Sequence, residues 1–136
     1  MDRRKFLISS GSAVTFAAMN GVTANAIAGN TPLPPKNLIF TQDNAGDWDA
    51  KKGSHIPKIE IAGGAVKIST PHKQSEDHYI VRHTLLLADG TVVGTTTFSP
   101  ENKPVSEYQL PAGYKGSIFA TSFCNRHDLW LNEASA

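Results

Sequence analysis

The sequence predicts an all-β fold, a sandwich of roughly seven short strands. Three observations carry this. Short apolar or alternating segments recur between Pro57 and Phe123. Turn-forming residues separate them at intervals of roughly 8 to 12 residues. No helical stretch is placed to act as the crossover that a parallel sheet needs.

The elements follow in order. Pro32, Pro34 and Pro35 make Asn30 to Lys36 an extended lead-in, because proline fixes φ and removes backbone donors. Leu38 to Thr41 reads as a short strand or edge segment. Asp43 to Gly53 reads as a loop around Trp48, since Gly46 and scattered apolar residues disfavour a helix. Lys58 to Ala62 alternates weakly, Gly63-Gly64 turns the chain, and Val66 to Ser69 alternates cleanly. His78 to Leu87 carries the strongest strand pattern, with Tyr79, Val81, Leu85 and Leu87 expected on one face. His83 shares that face and is expected to be packed in the core. Asp89-Gly90 predicts a hairpin turn, returning through Val92 to Phe98. The chain breaks at Ser99 to Pro104, resumes as a strand over Val105 to Leu110, turns at Pro111-Ala112-Gly113, and ends in a strand over Ser117 to Phe123.

Ahead of the fold, Arg3-Arg4-Lys5 precedes an apolar segment, Ile8 to Met19, diluted by serines, glycine and threonine. Small residues at Ala24-Asn25-Ala26 and Ala26-Ile27-Ala28 offer cleavage positions. The segment is too short and too polar for a membrane span. Residues 1–28 are therefore expected to be an export signal of the twin-arginine type, and 29–136 a single domain. The whole chain carries a formal charge of +1; without Asp2, Arg3, Arg4 and Lys5 it has ten basic and eleven acidic residues, net −1. That balance gives no support for nucleic-acid binding. Export predicts the periplasm, an oxidising compartment, where a single cysteine has no internal partner for a disulfide and is buried, reactive or held by a metal.

That cysteine, Cys124, precedes His127 by three residues. A tight loop can turn both onto one metal. Three upstream histidines, His55, His72 and His78, sit near predicted strand ends. Taken singly, each has a plainer reading as a solvated loop residue, and Cys124 as a small buried hydrophobe. Taken together they make a four-histidine, one-cysteine donor set. Five donors exceed what zinc takes in a structural site, and nitrogen-rich ligation with one sulfur suits iron or copper. A blue-copper site wants an axial methionine, and the only methionines, Met1 and Met19, lie in the expected signal. A five-coordinate iron leaves one position open, to which a small anionic oxidant is drawn. A carrier protein using Cys124 for exchange leaves the four histidines unexplained, and a cysteine hydrolase lacks an oxyanion arrangement.

These motifs resemble the desulfoferrodoxin/neelaredoxin superoxide reductases. The family pattern Glu-Lys-His-x-Pro is matched at its end by His55-Ile56-Pro57. The His-x5-His-Tyr-Ile segment is matched by His72 to Ile80, and Cys-Asn-x-His-Gly-x-Trp by Cys124 to Trp130. The resemblance spans about Gly53 to Trp130. It implies an immunoglobulin-like β sandwich and one mononuclear non-haem iron per chain, with His55, His72, His78 and His127 equatorial and Cys124 axial. It also implies one-electron reduction of superoxide to hydrogen peroxide. The alternative within the same fold is a non-catalytic iron-binding or electron-transfer module. The chain departs from the family at Gly53-Ser54, where the Glu-Lys pair would stand. Lys51, Lys52 and Lys73 are the candidates to restore the positive field and deliver a proton. Lys73-Gln74 replaces the family's Pro-Met, and Asp128 a glycine. The four-cysteine rubredoxin-like centre of two-iron members has no counterpart. Export implies a small periplasmic electron donor, such as a c-type cytochrome or a rubredoxin-like protein, and relatives form dimers or tetramers.

Overall fold

The computed structural model describes residues 34–136; the signal expected over 1–28 and the first part of the proline-rich lead-in lie outside the described residues. Among the described residues, seven strands form two antiparallel sheets. They are β1 (Lys58–Ala62), β2 (Ala65–Ser69), β3 (Ile80–Leu87), β4 (Val92–Thr97), β5 (Val105–Gln109), β6 (Ser117–Cys124) and β7 (Asp128–Ser135). One sheet has the order β1-β2-β5 and the other β4-β3-β6-β7. This is the two-sheet, Greek-key arrangement of an immunoglobulin-like sandwich, as the sequence predicts.

Between the sheets, inward residues of β2, β3 and β6 alternate with outward ones. Val66 and Ile68 meet Leu85, Leu87, Ile118 and Ala120, with Leu110 closing the end. Each fully buried aliphatic side chain is worth roughly 1.5–3 kcal/mol. Gly94 of β4 is fitted to its neighbour across the sandwich: a side chain there would meet the ring of Tyr108 from β5. The absence of a Cβ lets that ring pass and its hydroxyl reach Thr96 Oγ1 at 2.7 Å.

Three details differ from the sequence reading. Gly46–Lys51 is a 3-10 helix running into one α-helical turn, α1 (Lys52–His55), rather than a loop. A residue outside the segment supplies the missing cap: Asn37 Oδ1 accepts from Asp47 N at 2.9 Å. Asn37 packs so closely that only glycine, at φ +48°, fits at position 46. The second difference is β7, which pairs with β6 along its whole length. The third is the start of β3. An irregularity in its pairing with β6 between Ile80 and Arg82 turns Ile80 inward and leaves Tyr79 and Val81 half-buried. Leu85, Leu87 and His83 keep the expected core face.

The edge segment also resolves. Phe40 makes a single parallel bridge to β7, its N–H donating to Leu129 O and its carbonyl accepting from Leu131 N. Phe40 then stacks on Trp130 at a centroid distance of 5.0 Å. That pair, with Ala45, Trp48 and Ile56, anchors α1 against the sandwich.

Candidate metal centre

Four chain segments converge at one end of the sandwich. His55 ends α1, where Ile56 turns extended and Pro57 is buried. His72 follows β2 after a tight turn in which its N–H donates to Thr70 O at 2.7 Å. His78 closes a turn with Ser75, the two exchanging backbone hydrogen bonds at 2.9 and 3.2 Å. Cys124 ends β6, and His127 lies in the hairpin turn that leads into β7. That turn requires a left-handed residue, and Asp128 adopts φ +62°. Aspartate is among the few non-glycine residues that tolerate this region, so the departure from the family's glycine keeps the hairpin.

The hairpin is tied to the 72–80 loop by polar contacts. Tyr79 N donates to Asn125 Oδ1 at 3.0 Å, and Asn125 Nδ2 and Arg126 Nε both donate to Asp77 O. Arg126 also pairs with the Asp77 carboxylate at 2.9 Å.

The donor atoms face one another. His78 Nε2 lies 3.2 Å from His72 Nε2 and 3.0 Å from His127 Nδ1. His127 Nδ1 lies 3.1 Å from His55 Nε2 and 3.7 Å from Cys124 Sγ. Donor atoms of His55, His72, His78 and Cys124 all fall within 4.8 Å of one another. The outward nitrogens decide the tautomers of two rings. His55 Nδ1 donates to Lys51 O at 3.1 Å, and His72 Nδ1 to Gln74 Oε1 at 3.0 Å. Each therefore presents a bare Nε2 lone pair to the centre. Converging lone pairs repel unless a cation lies among them, so the residues present fit a metal ion. Four imidazole nitrogens and one sulfur suit iron.

The electrostatics point the same way. Burial, then the charge of His72, depresses the His55 pKa to about 4. Burial is also the leading cause that holds His72, His78 and His127 below the ordinary histidine range. The positive charges of Lys51 and Arg126 reinforce it at His78 and His127. Neutral rings at neutral pH bind a metal without first shedding protons.

The centre has two unlike sides. Cys124 is fully buried with Ile80 and Phe98, and Trp130 lies behind His55 at a centroid distance of 5.3 Å. His78 and His127 are half-buried, and Trp48 sets its ring edge-on to His127 at 4.6 Å.

The three candidate lysines separate. Lys51 is exposed, with its carbonyl on His55 and its charge felt at His78 and His127. Lys52 pairs with Asp49 at 2.9 Å. Lys73 stays exposed on the loop beside His72. His83 lies outside the cluster, wholly buried as expected.

Sequence reasoning missed Arg126, Trp48 and the role of Gln74. Gln74 Oε1 also accepts from Ile80 N at 2.8 Å, so its amide is held while it orients His72. A polar amide two residues after a candidate ligand was the available signal. Replacing Gln74 with alanine is expected to weaken metal binding roughly tenfold or more, measured by chelator competition; unchanged affinity would mean that His72 needs no such orientation.

The comparisons with known proteins agree with this geometry. The Desulfoferrodoxin family pattern matches residues 45–133. A superoxide reductase from Thermococcus kodakarensis is 32% identical over 108 residues, covering 67% of this chain and 92% of that protein. A superoxide reductase from Pyrococcus furiosus is 29% identical over 124 residues, covering 72% and 98%. Among solved structures, a superoxide reductase (neelaredoxin) from Ignicoccus hospitalis superposes with a TM-score of 0.61 at 27% identity, covering 71% of this chain and 92% of that one.

Proposed function

This chain belongs to the desulfoferrodoxin family, and from that membership we infer that it is a superoxide reductase with one mononuclear non-haem iron. The observation that carries the inference is the convergence of four imidazole nitrogens on Cys124 Sγ. His55, His72, His78, His127 and Cys124 would hold the iron. When bound, ferrous iron supplies the electron that reduces superoxide to hydrogen peroxide.

The chain's own residues do the rest. Burial of Cys124 among Ile80 and Phe98 shields the thiolate from oxidants in solvent. Gln74 and the Lys51 carbonyl keep the His72 and His55 lone pairs aimed inward. The half-buried edges of His78 and His127 leave a route for a small anion and for protons from solvent. Lys51 places positive charge on that side, so an anion is drawn to it; the charge of Arg126 is offset by its pairing with Asp77.

Among the lysines we assign the steering role to Lys51, because Lys52 is paired to Asp49. Lys51→Ala is expected to slow superoxide consumption up to about tenfold at low ionic strength. The gap should close toward ~1 M salt. Lys52→Ala should leave the rate unchanged, and the reverse ranking would move the role to Lys52.

The export reading extends the proposal. Arg3-Arg4 ahead of Ile8 to Met19 supports delivery to the periplasm by the twin-arginine route, with a small periplasmic one-electron donor such as a c-type cytochrome. Cell fractionation of the protein and of an Arg3→Lys, Arg4→Lys variant tests it; equal periplasmic yields would reject the route.

The activity is tested by stopped-flow mixing of superoxide with the iron-loaded, reduced protein. One peroxide per superoxide is expected, with the iron ending ferric. A ratio near one half would mean dismutation. No reaction at full iron occupancy would leave an iron-binding or electron-transfer module.

A further inference from the structure

The inward face of the sandwich changes character at one level. Along β2 the inward residues are Val66 and Ile68, and Thr70 follows the strand. Along β6 they are Ile118, Ala120, Ser122 and Cys124. Along β3, read backwards, they are Leu87, Leu85 and His83, after which the register shifts and Ile80 turns in. Three strands thus switch from apolar to polar together, and metal ligands stand just beyond. His72 is two residues past Thr70, and Cys124 two past Ser122.

At that level the polar groups form one connected chain. His83 Nε2 lies 2.8 Å from Thr70 Oγ1, and His83 Nδ1 lies 2.9 Å from Ser106 Oγ. Thr70 Oγ1 lies 2.9 Å from Ser122 Oγ. All four residues are buried, His83 and Ser122 completely. Thr70 and Ser106 belong to the β1-β2-β5 side of the sandwich, His83 and Ser122 to the other sheet. The chain therefore crosses between the sheets. Phe98 covers the ring edge-on at 4.9 Å. Among the described residues no buried side-chain polar atom lacks a partner.

A layer of this kind needs a reason. Apolar side chains of similar volume would fill the space without the burial penalty of four polar groups. What hydrogen bonds add is direction: each fixes a distance and an angle, whereas apolar contacts let two sheets slide. The Thr70 arm reaches both ligand segments, because Thr70 O accepts from His72 N and Thr70 Oγ1 meets Ser122 ahead of Cys124.

We propose that His83 is a positioning residue: through Thr70 and Ser122 it fixes the separation of the two sheets beneath the centre and so sets His72 against Cys124. This rests on the reading of His72 and Cys124 as metal ligands.

The two ring nitrogens allow a test that separates positioning from stability. Glutamine can place a polar atom where Nε2 stands, toward Thr70; asparagine can place one where Nδ1 stands, toward Ser106. Either substitution removes one arm of the chain and should lower thermal stability. The readout is Co(II) bound to the full-length protein, followed by its thiolate-to-cobalt charge-transfer band and by chelator competition. His83→Asn is expected to loosen Co(II) about tenfold and to shift or broaden the band. His83→Gln should stay within about threefold of the parent, with the parent's band. Thr70→Val, which keeps the shape and removes the hydroxyl, should behave as His83→Asn does, and Thr70→Ser as the parent does. This second pair decides the matter should the His83 variants fail to fold. Equal loosening in both members of a pair, or unchanged bands throughout, would reduce the layer to a purely structural role and overturn the proposal. A parent protein that binds no Co(II) and no Fe(II) would overturn the reading of the centre and the proposal with it.

Discussion

Replacing Cys124 with serine is expected to lower superoxide reduction by more than about 100-fold in the iron-loaded protein, given that even partners outside the ligand set cost about 10- to 100-fold. Any thiolate-to-iron absorption should disappear with it. Serine's hydroxyl stays protonated near neutral pH, where a thiolate donates electron density to a metal. The geometry adds a second cost. Cys124 is buried against Ile80 and Phe98, so a hydroxyl there loses water, and its shorter bond draws it back from His127 Nδ1, which lies 3.7 Å from the sulfur, at a cost of roughly 1–3 kcal/mol. Cys124→Ala avoids that cost while removing the sulfur. If both variants lose the absorption and the rate, the loss belongs to ligation. If the alanine variant keeps either one, the sulfur is not a ligand.

Acid should destabilise the metal-free protein well before its carboxylates titrate. Burial lowers the His83 pKa to about 4, and burial with the His72 charge does the same at His55. An unfolded histidine titrates near pH 6.5, so between pH 6.5 and 4 the unfolded chain binds protons that the folded chain refuses. Stability is therefore full above pH 6.5 and falls as pH drops toward 4. For His83, a difference of this size corresponds to about 3 kcal/mol once the fall is complete. Urea unfolding of the metal-free protein from pH 7.5 to 4.5 should show the decline. His83→Gln should start less stable yet decline less steeply, since glutamine does not titrate. An identical slope in the two proteins would mean that His83 takes up its proton as readily in the fold as in the unfolded chain. The metal-bound protein should release its ion over the same acid range, because protons and metal compete for the same ring nitrogens.

The converging residues, the candidate ligands, were legible because histidine and cysteine are chemically distinctive. His55-Ile56-Pro57, His72 to Ile80 and Cys124 to Trp130 are short local patterns, and each keeps its meaning without knowledge of the fold. The strands were legible for a similar reason: alternation in Val66 to Ser69, and turn chemistry at Gly63-Gly64 and Asp89-Gly90, are properties of neighbouring residues. Where pattern was poor, the reading failed. β7 runs through Leu129, Trp130 and Leu131 without clean alternation, and its pairing with β6 is what makes it a strand.

What the sequence by itself determined was the fold class, the five candidate ligands and the core placement of His83, because each follows from residue type and local spacing. Tertiary structure alone decided the rest. The turn at Gly46–Lys51 depends on Asn37 and on the packing of Trp48 with Phe40 and Trp130. The inward tautomers of His55 and His72 depend on Lys51 O and Gln74 Oε1. Of two adjacent lysines, one pairs with Asp49, while the charge of the other acts on His78 and His127. The polar layer joins Thr70, His83, Ser106 and Ser122, which lie far apart in the chain. Each of these is a contact between segments, set by distances of a few ångströms that only the folded chain defines.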